Sequence, residues 1–209
     1  MLHDPSNPLL DLNNKNLHKF NIIKPQYDRL KLSPGIVHIG VGNFHRAHLS
    51  WYLHRLMQEN KDLDWGIIGA GVLNYDREMR QKLKKQNFLT TLIELDPNGN
   101  KNCEIVGSMI DYAPVEKNNL SLIKEISDSR IRIVSLTVTE GGYFLDGENG
   151  LDFTNSEIVN DINNPNSPIT VFGAIVYALN IRKNNGYRPI TCLSCDNLIK
   201  NGDKLKQAV

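Results

Sequence analysis

Isolated leucines among polar residues, Leu9, Leu10 and Leu12, mark the first stretch of the chain as an arm that packs on whatever lies behind it. Pro34 and Gly35 punctuate its end, so residues 1–34 read as the arm and residues 35–209 as one domain. The apolar, β-rich run Ile36-Val37-His38-Ile39 predicts a strand that stops at Gly40. Behind it Leu49, Tyr52, Leu53 and Leu56 recur at helical spacing. A second strand is expected at Trp65-Gly66-Ile67-Ile68, followed by a charged helix from Tyr75 to Lys85, which completes one βαβ unit.

Phe88 to Leu95 and Cys103 to Ser108 flank Asp96-Pro97-Asn98-Gly99, whose turn chemistry predicts a hairpin instead of another crossover. Leu120, Ile123 and Ile126 mark a helix, and Ile131 to Val138 has the continuous β-branched character of a buried parallel strand. A loop carrying Pro165 and Pro168 follows, then a helix with Val171, Phe172, Ile175, Val176 and Leu179 as its apolar stripe. Ile190 to Ser194 is the last strand, and Lys204 to Val209 reads as a helix without a terminator, so the natural protein is expected to continue. Strand and helix alternate, with polar residues and glycines where strands end. That order predicts an α/β fold, a doubly wound and mostly parallel sheet with an inserted hairpin and ligands at the carboxyl ends of its strands.

Composition narrows the function. Lys and Arg total 24 against 23 Asp and Glu, a formal charge of +1, and the charges are scattered. Neither nucleic acid nor an anionic membrane is an expected partner. Three cysteines, Cys103, Cys192 and Cys195, make no disulfide framework and suit a reducing compartment. The start of the chain lacks a secretory signal and no stretch is apolar enough to span a bilayer, so the expectation is a cytoplasmic protein.

Gly40-Val41-Gly42-Asn43-Phe44-His45 lies between a predicted strand and a predicted helix, where backbone N–H groups and a helix N-terminus can hold a pyrophosphate. His45 stands where the usual fingerprint has its third glycine, and a tight turn needing glycine only for its dihedrals is the other reading. Asp76, after the second strand, is the candidate for binding adenosine ribose hydroxyls, against the plainer role of opening a helix. His45 and His48 share a helix, with His38 and His54 nearby, but no carboxylate or cysteine joins them at ligand spacing, and no metal is expected. Cys192 and Cys195 are spaced to point to opposite faces of a strand and read as structural thiols. Glu140, in Glu140-Gly141-Gly142-Tyr143, and Asn197, in Asp196-Asn197, fall just beyond strands on the ligand edge. An amide such as that of Asn197 suits the stabilisation of a reacting oxyanion, while turn formation accounts for both segments without function.

Gly40-Val41-Gly42-Asn43-Phe44-His45-Arg46-Ala47-His48 resembles the cofactor loop of the polyol-specific long-chain dehydrogenases. Asp64 to Gly69, Ile133 to Tyr143 and Ser194 to Asn197 resemble later segments of that family in the same order, so the similarity covers residues 35–202. Within the family the mannitol and fructuronate branches are nearest. Gly141-Gly142 and Ile68 to Val72 resemble the mannitol branch. The resemblance implies an NAD-dependent oxidoreductase that interconverts a polyol such as mannitol with a ketose such as fructose, acting without zinc. It assigns the cofactor to Ile39, Gly40, Val41, Gly42, Asn43, Phe44, His45, Arg46 and Ala47, with Asp76 favouring NAD over NADP. Tyr75 departs from the acidic neighbour found in some relatives. Asn197 matches one of two asparagines that hold the oxyanion, and Glu140 lines the proton path. The family's general-base lysine, its second asparagine and a histidine lie in a helical C-terminal domain that no part of this sequence matches, so this chain by itself is expected to bind cofactor without turnover. A full-length protein of this kind is expected to be a monomer. The competing readings are a fructuronate reductase and a nucleotide-binding module without catalysis.

Overall fold

The protein is described by a computed structural model over residues 12–146 and 150–209. Its first strand, β1 (Pro34–Ile39), is buried along its whole length, as is β2 (Gly66–Ala70). Burial on both faces is why these runs are apolar without alternation. Between them a helix opens at Asn43, passes through a π-helical stretch at His45–Leu49, and continues as α1 (Ser50–Gln58). The π turn is closed by the Ser50 N–H on the His45 carbonyl. α2 (Asn74–Lys85) follows β2 and leads into the expected hairpin, β3 (Thr90–Leu95) paired antiparallel with β4 (Lys101–Val106). Its turn is built by Asp96, whose carboxylate accepts the N–H groups of Asn98 and Asn100, both at 2.8 Å.

The hairpin delivers the chain to β5 (Met109–Tyr112). α3 (Leu120–Ser127), β6 (Ile133–Leu136), α4 (Ser156–Asn163), α5 (Val171–Asn184), β7 (Thr191–Ser194) and α6 (Asn201–Ala208) complete the order. Five strands form one parallel sheet in the order β5-β2-β1-β6-β7, with the hairpin outside it. The fold class is therefore as expected. Two elements are not: β5 has no alternating signature, and α4 lies in the stretch expected to be a loop.

Successive residues of the central strands feed opposite layers. Val37, Ile39, Ile68, Val134 and Leu136 join α3 and α5 residues such as Ile126, Phe172 and Ile175 in one core. Ile36, Val41 and Ile67 meet Met79 and Leu83 of α2 in the other. Helices thus cover both faces, as a parallel sheet requires. The described part of the arm lies against this body. Arg29 donates to the carbonyls of Gly107 and Met109, each at 2.9 Å, and the Tyr27 hydroxyl meets His54 Nδ1 at 2.7 Å. Among the described residues no helix is long and apolar enough to cross a membrane.

Candidate active site

The strand order reverses between β1 and β6, one leading outward through β2 and the other through β7. Gly40 sits at this point. Its N–H donates to Ala70 at 3.0 Å and its carbonyl accepts the Thr137 hydroxyl at 2.6 Å. With φ at +96°, and with an added Cβ 2.1 Å from the Thr137 carbonyl oxygen, the position demands glycine. Gly42 differs: a Cβ there would find only the Gly40 oxygen, 4.0 Å away. The chain thus leaves an open face in front of a helix N-terminus. The first-turn N–H groups of such a helix have no carbonyl of their own and favour an anion.

The predicted cofactor segment divides by burial. Ile39, Val41 and His45 turn their side chains into the core, so only their backbone remains for a ligand. Asn43, Phe44 and Ala47 are exposed, and Phe44 stacks on His48 with ring centroids 4.8 Å apart. Arg46 folds back over the turn, its Nη2 donating to Asn43 Oδ1 at 2.8 Å. A cleft of about 470 Å³ runs from Asn43, Arg46 and Ala47 to Lys82 of α2 and Gln86 just beyond its end.

Beneath the turn lie two histidines in a roughly parallel stack, His38 and His45. The Gly40 carbonyl, 3.1 Å from His38 Nε2, can only accept, so this nitrogen carries the proton and Nδ1 accepts the Ser135 hydroxyl at 2.8 Å. Burial lowers the His38 pKa to about 4, against the opposing pull of the Gly40 carbonyl. Burial, followed by the neighbouring His38 and Arg46, holds His45 well below the ordinary imidazole range. Both rings are neutral supports of the turn. Among the described residues no group of histidine, cysteine, aspartate or glutamate is arranged to hold a metal ion.

Asp76 stands in the first turn of α2. Its carboxylate accepts the Leu73 N–H at 2.9 Å and packs so closely over Gly71 that a Cβ there would lie 2.4 Å from Oδ2. Gly71 directly follows Ala70, the partner of Gly40, so Asp76 stands at the strand exit beside the glycine turn. Leu73 and Tyr75 flank it, both exposed. The nearby cations are engaged elsewhere, Arg77 Nε on the Val115 carbonyl at 3.2 Å and Arg80 Nε on that of Tyr112 at 2.7 Å.

On the other side of the switch point, Thr139 leaves β6 with φ at +66° and leads into a single 3₁₀ turn, Glu140–Tyr143. Glu140 is exposed and borders a cleft of about 420 Å³ with Gly141, Phe144, Asp146, Asp152 and Asn155. Asn197 is exposed just beyond β7. β6 and β7 are paired neighbours, so these two residues stand on adjoining rim segments, with Asp76 across β1 from them. Residues without a role in the site on sequence grounds support them: His38 and Thr137 under the turn, Tyr143 and Asp196 behind the β6 and β7 exits. In the sequence Asp196 is marked only by its place beside Asn197 beyond the last strand and within the Ser194 to Asn197 segment of the family resemblance, with no role of its own. Cys192 and Cys195 are unpaired and half-buried.

A parallel sheet of this order, with an open glycine turn and a helix N-terminus at its switch point, is a Rossmann-type dinucleotide-binding domain. Residues 34–209 match the mannitol dehydrogenase Rossmann domain, and the chain belongs to that family. It is 51% identical over 189 residues to the mannitol 2-dehydrogenase of Cereibacter sphaeroides, an alignment covering 90% of this chain and 39% of that one. A polyol:NADP oxidoreductase of Gluconobacter oxydans is 38% identical over 90% of this chain and 39% of its own length. The structure of Pseudomonas fluorescens mannitol 2-dehydrogenase in ternary complex with NAD and D-mannitol superposes with a TM-score of 0.90 at 40% identity, covering 95% of this chain and 41% of the other. The chain spans about two fifths of the length of these relatives.

Proposed function

We propose that the chain is the NAD-binding part of a polyol dehydrogenase of the mannitol 2-dehydrogenase type, which interconverts D-mannitol and D-fructose. The observation that carries this reading is the open face of Gly42 before a helix N-terminus, with Asp76 on one side and the Glu140 and Asn197 rim on the other. NAD supplies the hydride acceptor when bound. The first-turn amides from Asn43 to His45 and the Arg46 guanidinium hold its pyrophosphate, and the helix dipole adds to their attraction. Asp76 accepts from ribose hydroxyls and repels a phosphate at that position, while Arg77 and Arg80 are committed to carbonyls. The Asn197 amide donates to the reacting oxygen, stabilising the negative charge that develops there as the hydroxyl proton is removed or, in the reverse direction, as hydride adds to the ketone carbon. Glu140, exposed at the rim, passes the released proton outward.

By the family resemblance the general base lies in a helical domain that no part of this sequence matches, so in this reading the 209 residues bind cofactor and do not turn over. The full-length protein is a cytoplasmic monomer in this reading. Similarity to an enzyme solved with NAD and D-mannitol supports the choice of ligands.

Fluorescence titration of the chain with NADH and NADPH tests the cofactor, with saturable and tighter NADH binding expected. Assaying the complete gene product on mannitol, sorbitol and mannonate tests the substrate. The highest kcat/KM is expected for mannitol with NAD. A preference for mannonate, or no saturable NADH binding, overturns the reading.

A further inference from the structure

We propose that Asp196 is a positioning residue for the polyol-oxidising site, tying the exit of β6 to the exit of β7 so that Asn197 is held in register with the Glu140 turn. The inference deepens the functional reading above and rests on it.

The ladder between β6 and β7 ends where the Cys195 N–H donates to the Leu136 carbonyl at 2.8 Å. Beyond that point a side chain takes over. Asp196 Oδ2 accepts the Val138 N–H at 3.2 Å and Oδ1 the Thr139 N–H at 2.9 Å. These charge-assisted bonds carry the pairing past the ends of both strands. Thr139 is a β-branched residue at positive φ, a conformation that persists only where surrounding contacts over-determine it. Asp196 supplies such a contact.

The carboxylate is itself held. The Tyr143 hydroxyl donates to Oδ2 at 2.9 Å and lies 2.6 Å from Ser194 Oγ. Burial raises the Tyr143 pKa above its ordinary value, so the phenol keeps its proton for this bond. Asn201 Nδ2 donates to the carbonyls of Ser194 and Asp196 at 3.2 and 3.1 Å. Glu140 and Asn197 are exposed and each directly follows a residue that this network fixes, Thr139 and Asp196. Catalysis through a hydrogen bond to a reacting oxygen depends on that placement.

Replacing Asp196 with asparagine sets an amide N–H against a backbone N–H and removes the charge. In the complete gene product with NAD, Asp196→Asn is expected to lower kcat about tenfold or more, with the polyol KM and the NADH Kd within about twofold of wild type. A cycle with Asn197→Ala separates positioning from general destabilisation. If Asp196 acts through Asn197, the double variant is no slower than Asn197→Ala within about threefold. Should Asp196→Asn fail to fold, Tyr143→Phe removes one donor and keeps the carboxylate on its two amides. It is expected to lower kcat in the wild-type background and to have no effect in the Asn197→Ala background. A kcat within twofold of wild type for Asp196→Asn, or losses that multiply in either cycle, overturns the proposal while leaving the polyol dehydrogenase reading in place. Absence of polyol turnover in the wild-type gene product overturns both.

Discussion

The imidazoles of His38 and His45 lie stacked beneath the glycine turn, ring centroids 4.5 Å apart at an interplanar angle of 26°. Both are fully buried and neither is charged, so the turn that faces the cofactor rests on a neutral aromatic pair.

That support should fail in acid. The His38 pKa falls from 6.5 to about 4 on folding because burial penalises its charged form. A depressed folded value means that the unfolded chain binds the proton first. The stability is complete above pH 6.5 and is lost as pH falls from there towards 4, at about 1.4 kcal/mol per pH unit. His45 and His54, also lowered chiefly by burial, act in the same direction. Urea unfolding at pH 7 and pH 5 should show wild type losing about 2 kcal/mol more than His38→Gln between the two conditions. Equal acid sensitivity would refute the assignment.

The two glycines of the turn should respond oppositely to alanine. Gly40→Ala drives a Cβ into the Thr137 carbonyl at a positive φ and should cost about 3 kcal/mol, seen as a Tm lower by about 6–12 °C. Gly42→Ala meets only the Gly40 oxygen, at an ordinary 4.0 Å contact. Its Tm should stay unchanged while NADH affinity falls about tenfold or more, because the methyl stands where backbone and pyrophosphate approach. Wild-type affinity in Gly42→Ala would place the cofactor elsewhere.

Asp76 has two tasks that substitution can separate. Its bond to the Leu73 N–H caps α2, and Asp76→Ala should lose about 1 kcal/mol of stability for that reason. Asp76→Asn keeps an acceptor for the cap but loses the charge that repels a ribose phosphate. The expected outcome is near-native thermal stability with the NADH to NADPH affinity ratio lowered about tenfold. An unchanged ratio would leave Asp76 a capping residue alone.

The arm should report on stability and not on cofactor. Tyr27→Phe removes the closer of two partners of the buried His54 Nδ1, leaving the Gly107 N–H at 3.5 Å, while the other ring nitrogen faces Glu104 at 3.3 Å. A loss of about 1–3 kcal/mol in urea unfolding is expected, with NADH affinity unaltered. A change in affinity at constant stability would contradict this separation.

Local chemistry made part of this protein readable from its residues. The Gly40 turn between an apolar run and a helical stripe, the Asp96-Pro97-Asn98-Gly99 reversal, and the β-branched character of β6 are properties of neighbours in the chain, and each appears in the structure as expected. Family resemblance, not spacing, raised Asp76 and Asn197 above ordinary turn residues. Long-range pairing decided the rest. β5 is a strand because β2 offers it an edge, with Ile67 paired to Met109, and four residues carry too short a pattern to announce that. α4 was hidden in a segment rich in asparagine and flanked by proline, where its short apolar face acquires meaning only against α5. The His45 side chain, part of the expected cofactor segment, packs in the core, because a helix beginning at the turn rolls it inward onto His38. The link from Asp196 to Thr139 joins residues 57 positions apart. Sequence fixes which groups are available, but a hydrogen bond across such a separation exists only once the sheet has set two strand ends side by side.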